Sequence, residues 1–130
     1  MEFRALADWL LLGVEADYQP GTEVPDAVPP YVMLTETPGP GLAVEDSMDH
    51  TVWQLRCAGE AGQFEEESYA NSQALAMSLD RRIVTAPWPL VIGTVRVTDA
   101  QRLGSRPRFL LRSDDETAHF VATYLFMHGY

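Results

Sequence analysis

The spacing of apolar residues changes twice in the second half of this chain, and that switch constrains the fold more than any other feature. Thr51 to Ala58 alternates, with Trp53, Leu55 and Cys57 on one face and Gln54 and Arg56 on the other, which is the period of a half-buried strand. After a turn over 59–63, Ser72, Leu75, Ala76, Leu79 and Ile83 recur at helical spacing and predict a helix over 64–86. Such a helix is roughly 30 Å long, enough to cross a small sheet. Glu65, Glu66 and Glu67 fall in its first turn and Arg81 and Arg82 near its last, as the helix dipole favours, and Pro87-Trp88-Pro89 stops it.

Strand signals then return. Leu90 to Thr98 carries β-branched Val91, Ile92, Val95 and Val97 on both faces and predicts a central strand. A basic, irregular arm holding Arg102, Arg106, Arg108 and Arg112 leads through the polar turn Ser113-Asp114-Asp115-Glu116 to a last strand over 118–127. That strand has Phe120, Tyr124 and Phe126 on one face and Val121, Leu125 and Met127 on the other.

The first half is less regular. Phe3, Leu6, Ala7, Leu10 and Val14 predict a helix over 2–16 with one apolar face. Pro20, Gly21, Pro25, Pro29 and Pro30 make 18–30 an extended connector, because proline removes backbone donors and fixes φ. Tyr31 to Glu36 is a short strand ended by the turn Pro38-Gly39-Pro40-Gly41. The expected fold is α+β: a mixed, mostly antiparallel sheet of about four strands with two helices packed on one face. At 130 residues, one domain over 1–130 is expected.

Charge and composition narrow the function. A formal net charge of -10 opposes binding to phosphate backbones, so nucleic acid is not the expected ligand. All 9 basic residues are Arg, which favours planar, bidentate contacts with carboxylates. The lone cysteine, Cys57, allows no intramolecular disulfide and suits a reducing compartment. With neither a signal-peptide pattern nor an apolar run long enough to span a bilayer, the chain is expected to be soluble and cytoplasmic, with no membrane partner.

No catalytic constellation emerges. Asp46, Asp49 and His50 are close in sequence, yet they lack a ligand-spaced partner and read as a solvated acidic loop, so no metal is expected. Cys57 shares a face with Trp53 and Leu55 and reads as a buried thiol; His119 and His128, at or beside the last strand, receive no role. Phosphate-binding and nucleophile-elbow glycine motifs are missing, and no cofactor is implied. The charge layout says more: acids gather at Glu45, Asp46, Asp49, Glu60 and Glu65 to Glu67, while Arg102, Arg106, Arg108 and Arg112 form a basic pole. These poles either pair within one molecule or join the arm of one subunit to the acidic edge of the next, a heterologous contact able to close into a ring.

Two stretches carry a family resemblance. His50-Thr51-Val52-Trp53-Gln54-Leu55-Arg56-Cys57 followed by Glu66-Glu67-Ser68-Tyr69-Ala70-Asn71-Ser72-Gln73-Ala74-Leu75-Ala76 resembles a strand leading into an acidic, alanine-rich helix start. Asp114-Asp115-Glu116-Thr117-Ala118-His119-Phe120-Val121-Ala122-Thr123-Tyr124 resembles an acidic turn and aromatic final strand. In this order they are similar to the tail terminator, or tail-completion, proteins of long-tailed bacteriophages, actinophage members among them. The resemblance implies a non-enzymatic virion protein at the tail–head junction, assembled in the host cytoplasm. It would form a ring, commonly a hexamer, that caps the tail tube, ends its polymerisation and meets a head-completion or connector protein. DNA would pass through the ring without specific binding. Two alternatives stay open: a head-tail connector or neck protein and, from another class, a small-ligand-binding or enzymatic α+β domain built around His119 or Cys57.

Overall fold

A computed structural model describes residues 3–20, 28–37, 49–113 and 116–128. The turn at Pro38-Gly39-Pro40-Gly41, the acids Glu45 and Asp46, and Asp114 and Asp115 lie outside the described residues. The elements are α1 (Phe3–Leu10), β1 (Asp17–Pro20), β2 (Tyr31–Thr37), β3 (Asp49–Ala58), α2 (Glu65–Thr85), β4 (Leu90–Ile92), β5 (Val95–Arg112) and β6 (Ala118–His128). They form a curled sheet in the order β1-β2-β3-β6-β5-β4, antiparallel throughout except for the parallel pair of β1 and β2.

The α+β expectation holds, with six strands where about four were expected. Three local differences account for this. The first helix stops at Leu10: Leu11 N–H still donates to Ala7 O, but Gly13 enters the left-handed region at φ 81° and turns the chain back. That reversal lets Asp17 donate its N–H to Pro30 O and start β1, a four-residue strand too short to show any alternation in sequence. The expected central strand over 90–98 is instead a hairpin at the sheet margin, split at Gly93-Thr94, where Gly93 has φ 65° and sits against the Cβ of Ala5.

The third difference bears on function. The basic arm is not irregular; it continues β5, which runs 18 residues beside β6. Gly, Ser, Pro and Arg give this stretch little strand propensity of its own, so the ladder with β6 supplies the order. The misfit residues are taken up in a bulge, Gly104 to Pro107 standing opposite Ala122, with Gly104 at φ 82°.

Both helices cover one face, as expected. Leu6, Ala7 and Leu10 of α1 and Ala76, Leu79 and Ile83 of α2 share a core with Val32, Leu34, Trp53, Leu55, Cys57, Phe120, Tyr124 and Phe126. Burial of each large aliphatic side chain there stabilises the fold by about 1.5–3 kcal/mol. The start of α2 is held by polar stitches. Ser72 Oγ accepts from Gly59 N–H at 2.8 Å and donates to Ala118 O at 2.7 Å, while Ser68 Oγ accepts from Ala118 N–H at 3.1 Å. Gly59 has no room for a side chain, because a Cβ would strike the backbone of Asn71 and Ser72.

Candidate functional site

The strand β5 carries all four candidate arginines, but the sheet gives them different surroundings. Arg102 lies beside Tyr124 of β6 and points beneath α2, where its guanidinium Nη1 donates to Asp80 Oδ2 at 2.8 Å. Asp80 is buried, and its other oxygen accepts from Tyr124 Oη at 2.7 Å. Burial first, and then the bond to Asp80, push the Tyr124 phenol well above its ordinary pKa, so the triad holds a neutral tyrosine and an ion pair. This arrangement locks α2 onto the β5–β6 ladder. Arg102 is therefore engaged within its own chain.

Arg106 is exposed and, with Arg81 and Arg102, lines a groove along the C-terminal half of α2. Arg108 is exposed on the opposite side, in register with Val121 and near Gln54. Arg112 ends the strand and donates to Glu116 O at 3.0 Å. Asp49, by contrast, opens β3 in register with His128, nine residues before Ala58, whose row ends at Leu111 of β5. At about 3.4 Å per residue, roughly 30 Å of strand separates Asp49 from the Arg112 end. The two do not meet within one molecule.

The histidine and the thiol named for an enzymatic reading lie inside the molecule. Cys57 sits in the core under the helices, and burial pushes its thiol up to about 12. His119 is fully buried on the other face of the sheet; its Nδ1 accepts from Arg56 Nε at 3.2 Å and its ring lies 6.1 Å from that of Tyr31. Both side chains are closed off from solvent among the described residues.

Sequence reasoning passed over an exposed apolar run in β5. Phe109 is 42% exposed, Leu110 42% and Leu111 39%, three apolar residues in succession between Arg108 and Arg112. Phe109 rests against Tyr69 of α2, with ring centroids 5.5 Å apart, and Tyr69 meets Phe120 edge-on at 4.9 Å. The signal was present: an unbroken apolar run at the end of an otherwise polar strand belongs to neither a half-buried nor a solvated edge. The adjoining backbone is also open, since β4 pairs only with Val95 to Val97 and the rest of β5 has β6 as its one neighbouring strand among the described residues.

At the other margin of the sheet, β1 is likewise unpaired on its outer side among the described residues. A groove of about 570 Å³ lies between it and the end of α1, lined by Asp8, Leu11, Leu12, Val14, Asp17 and Tyr18 among others.

No protein-family model matches the chain, and no curated protein does. Among solved structures, the fold is similar to that of a chain in the virion of a native gene transfer agent (GTA) particle, with 20% identity and a TM-score of 0.56, covering 98% of this chain and 89% of that one.

Proposed function

We propose that this protein is a structural component of a phage-like virion, and within it a tail terminator that forms a ring on the tail tube, ends tube growth and joins tail to head. One observation carries the reading: the likeness to a chain of a gene transfer agent virion extends over nearly the whole of both chains, not over a shared motif alone. The layout of the molecule supports it. The helices and buried polar groups stiffen the sheet centre, while Leu12 beside β1 and Phe109, Leu110 and Leu111 of β5 stand exposed at its margins, where a ring subunit would meet its neighbours. The net charge of -10 suits a ring around a DNA channel, because repulsion keeps a passing duplex from adhering.

In this reading the protein works without turnover. Its partners are copies of itself, the tail-tube protein and a head-completion or connector protein. Exposed Arg106 and Arg108 and half-buried Arg112 are the contact residues of the basic strand, and Arg102 fixes that strand to α2. Imaging the purified chain mixed with polymerising tail-tube protein tests the role. Shortened tubes with capped ends are the expected product. Tubes of unchanged length with bare ends would remove the terminator reading, and binding to the head-completion protein alone would move the chain to the neck.

A further inference from the structure

The two open margins of the sheet lie at the same height. Following the register across the strands, Asp17 of β1 leads through Tyr31, Ala58 and His119 to Leu111 of β5. The next row runs from Tyr18 through Val32, Cys57 and Phe120 to Phe109, and the next from Gln19 through Met33, Arg56 and Val121 to Arg108. The same rows therefore begin on one open edge and end on the other. We infer that the exposed end of β5, Arg108 to Arg112, pairs with β1 of a second copy and seats Phe109 in the groove between α1 and β1 of that copy.

Strand direction agrees with this arrangement. Stepping through the pairings, β1 and β5 point in opposite senses, so β5 meets the β1 of a neighbour antiparallel while both sheets keep the same face outward. In β1, Asp17 turns its N–H towards β2, so by alternation Tyr18 directs its backbone groups to the open side. Phe109 shares a row, and hence a face, with Phe120, on the helix side of the sheet. The groove beside Tyr18 opens between β1 and α1, on that same side. Leu12 at its rim is 70% exposed and offers the apolar surface that an incoming phenyl ring needs.

Charge chooses a second copy over another apolar partner. Asp8 and Asp17 line the groove, with exposed Glu15 beside it, whereas Arg108 and Arg112 flank the Phe109 run. With the rows matched, Arg112, on the helix side by alternation, comes opposite Ala16 of the neighbour, which lines the groove together with Asp8, on a chain whose overall charge of -10 would otherwise drive copies apart. The rows match without an offset along the strands, so the joint adds no stagger of its own, and a head-to-tail contact of this kind makes a ring when its rotation closes. The inference rests on the ring reading above and supplies its subunit contact; Asp49, roughly 30 Å along the sheet, lies too far away to face Arg112 across this joint.

The test is a chain carrying both Leu111→Cys and Asp17→Cys, incubated with tail-tube protein and treated with a thiol cross-linker spanning about 8 Å, the diagonal reach between neighbouring strands. Buried Cys57 stays silent. The expected result on a denaturing gel is a ladder of covalent species climbing past the dimer, with neither single variant producing it. Dimers from Leu111→Cys alone would mean that β5 pairs with its own copy, overturning the inference. Rings visible in the electron microscope without a ladder would overturn this joint and leave the ring reading standing; neither rings nor ladder would overturn both. In parallel, Phe109→Asp is expected to weaken self-association at least about tenfold by sedimentation, while the subunit still unfolds cooperatively in urea at a midpoint lowered by the lost ring contacts with Tyr69 and Phe120. Undiminished association of that variant would refute the seating of Phe109.

Discussion

The centre of the sheet and its two margins are built on opposite terms. In the centre, β3 and β6 pair over ten successive residues and bury apolar side chains on both faces, from Trp53, Leu55, Phe120 and Phe126 under the helices to Val52 and Val121 on the other side. At the margins, β1 has four residues and the far end of β5 has β6 as its one neighbouring strand among the described residues, with Phe109, Leu110 and Leu111 left partly in water. An isolated protein gains nothing from a long open edge beside exposed apolar residues, since that combination invites pairing with other chains. Under the proposed ring reading, the centre makes the subunit and the margins make the assembly. Substitutions should sort accordingly.

The largest effect is expected from the centre. Phe126→Ala removes a fully buried ring that meets Trp88 edge-on at 6.2 Å, and should cost about 3–5 kcal/mol of folding stability by urea unfolding. A loss below about 1 kcal/mol would show that the centre is looser than its burial implies. Next comes the polar lock between helix and ladder. Asp80→Ala strands the buried Tyr124 hydroxyl and the Arg102 guanidinium, at a cost of about 3 kcal/mol, the lower end for breaking such a pair because the Arg102 side chain is 26% exposed. Tyr124→Phe, which leaves the ion pair in place, should cost less, about 1 kcal/mol. Equal losses from the two variants would mean that the ion pair contributes nothing.

How much of this division could be read in the chain depended on whether a residue's partners were local. The helix α2 was legible within a residue at each end, because its apolar spacing and terminal charges are properties of the segment itself. The faces of β3 and β6 were legible for the same reason. The strand character of Gln101 to Arg112 was not, since Gly104, Ser105 and Pro107 argue for a loop and only the register with β6, set by residues beyond Ala118, overrides them. β1 was hidden because it depends on a bond from Asp17 to Pro30 across the connector. Among the candidate contact residues, Arg106 and Arg108 are exposed, Arg112 is half-buried and bonded to Glu116 O, and Arg102 is drawn inward by Asp80 of α2, a partner 22 residues away that the sequence does not announce.

A smaller effect comes from pH acting on the centre alone. Burial raises the Cys57 thiol from 9.0 to about 12, so the folded state holds this proton more tightly than the unfolded chain. For a group shifted upward, the stabilisation is complete below the unfolded pKa and disappears as pH climbs towards the folded one. Folding stability should therefore fall between pH 9 and 12, by about 1 kcal/mol over the first unit. Tyr124, raised in the same direction, adds to the decline above pH 10. Urea midpoints measured across that range test the slope, and a flat profile would place the thiol in contact with solvent. Labelling of Cys57 by iodoacetamide at pH 9 should likewise be at least about 100-fold slower in the native state than in urea.

The smallest effect on folding is expected at the margin, and it separates the two regions most cleanly. Leu12→Ser replaces a side chain that is 70% exposed at the rim of the groove beside β1, so the subunit should lose no more than about 0.5 kcal/mol. If the margins exist for assembly, the same change should lower the yield of capped tubes, because it removes apolar surface from the receiving side of the joint. A matching substitution elsewhere supplies the control. Val91→Ser removes a comparably exposed side chain, 67% accessible, from β4, which lies outside the matched rows. It should alter neither stability nor capping. Equal capping by both variants would mean that exposed apolar residues at the two open edges are no different from those scattered elsewhere, and the division between centre and margin would lose its functional meaning while the fold stood unchanged.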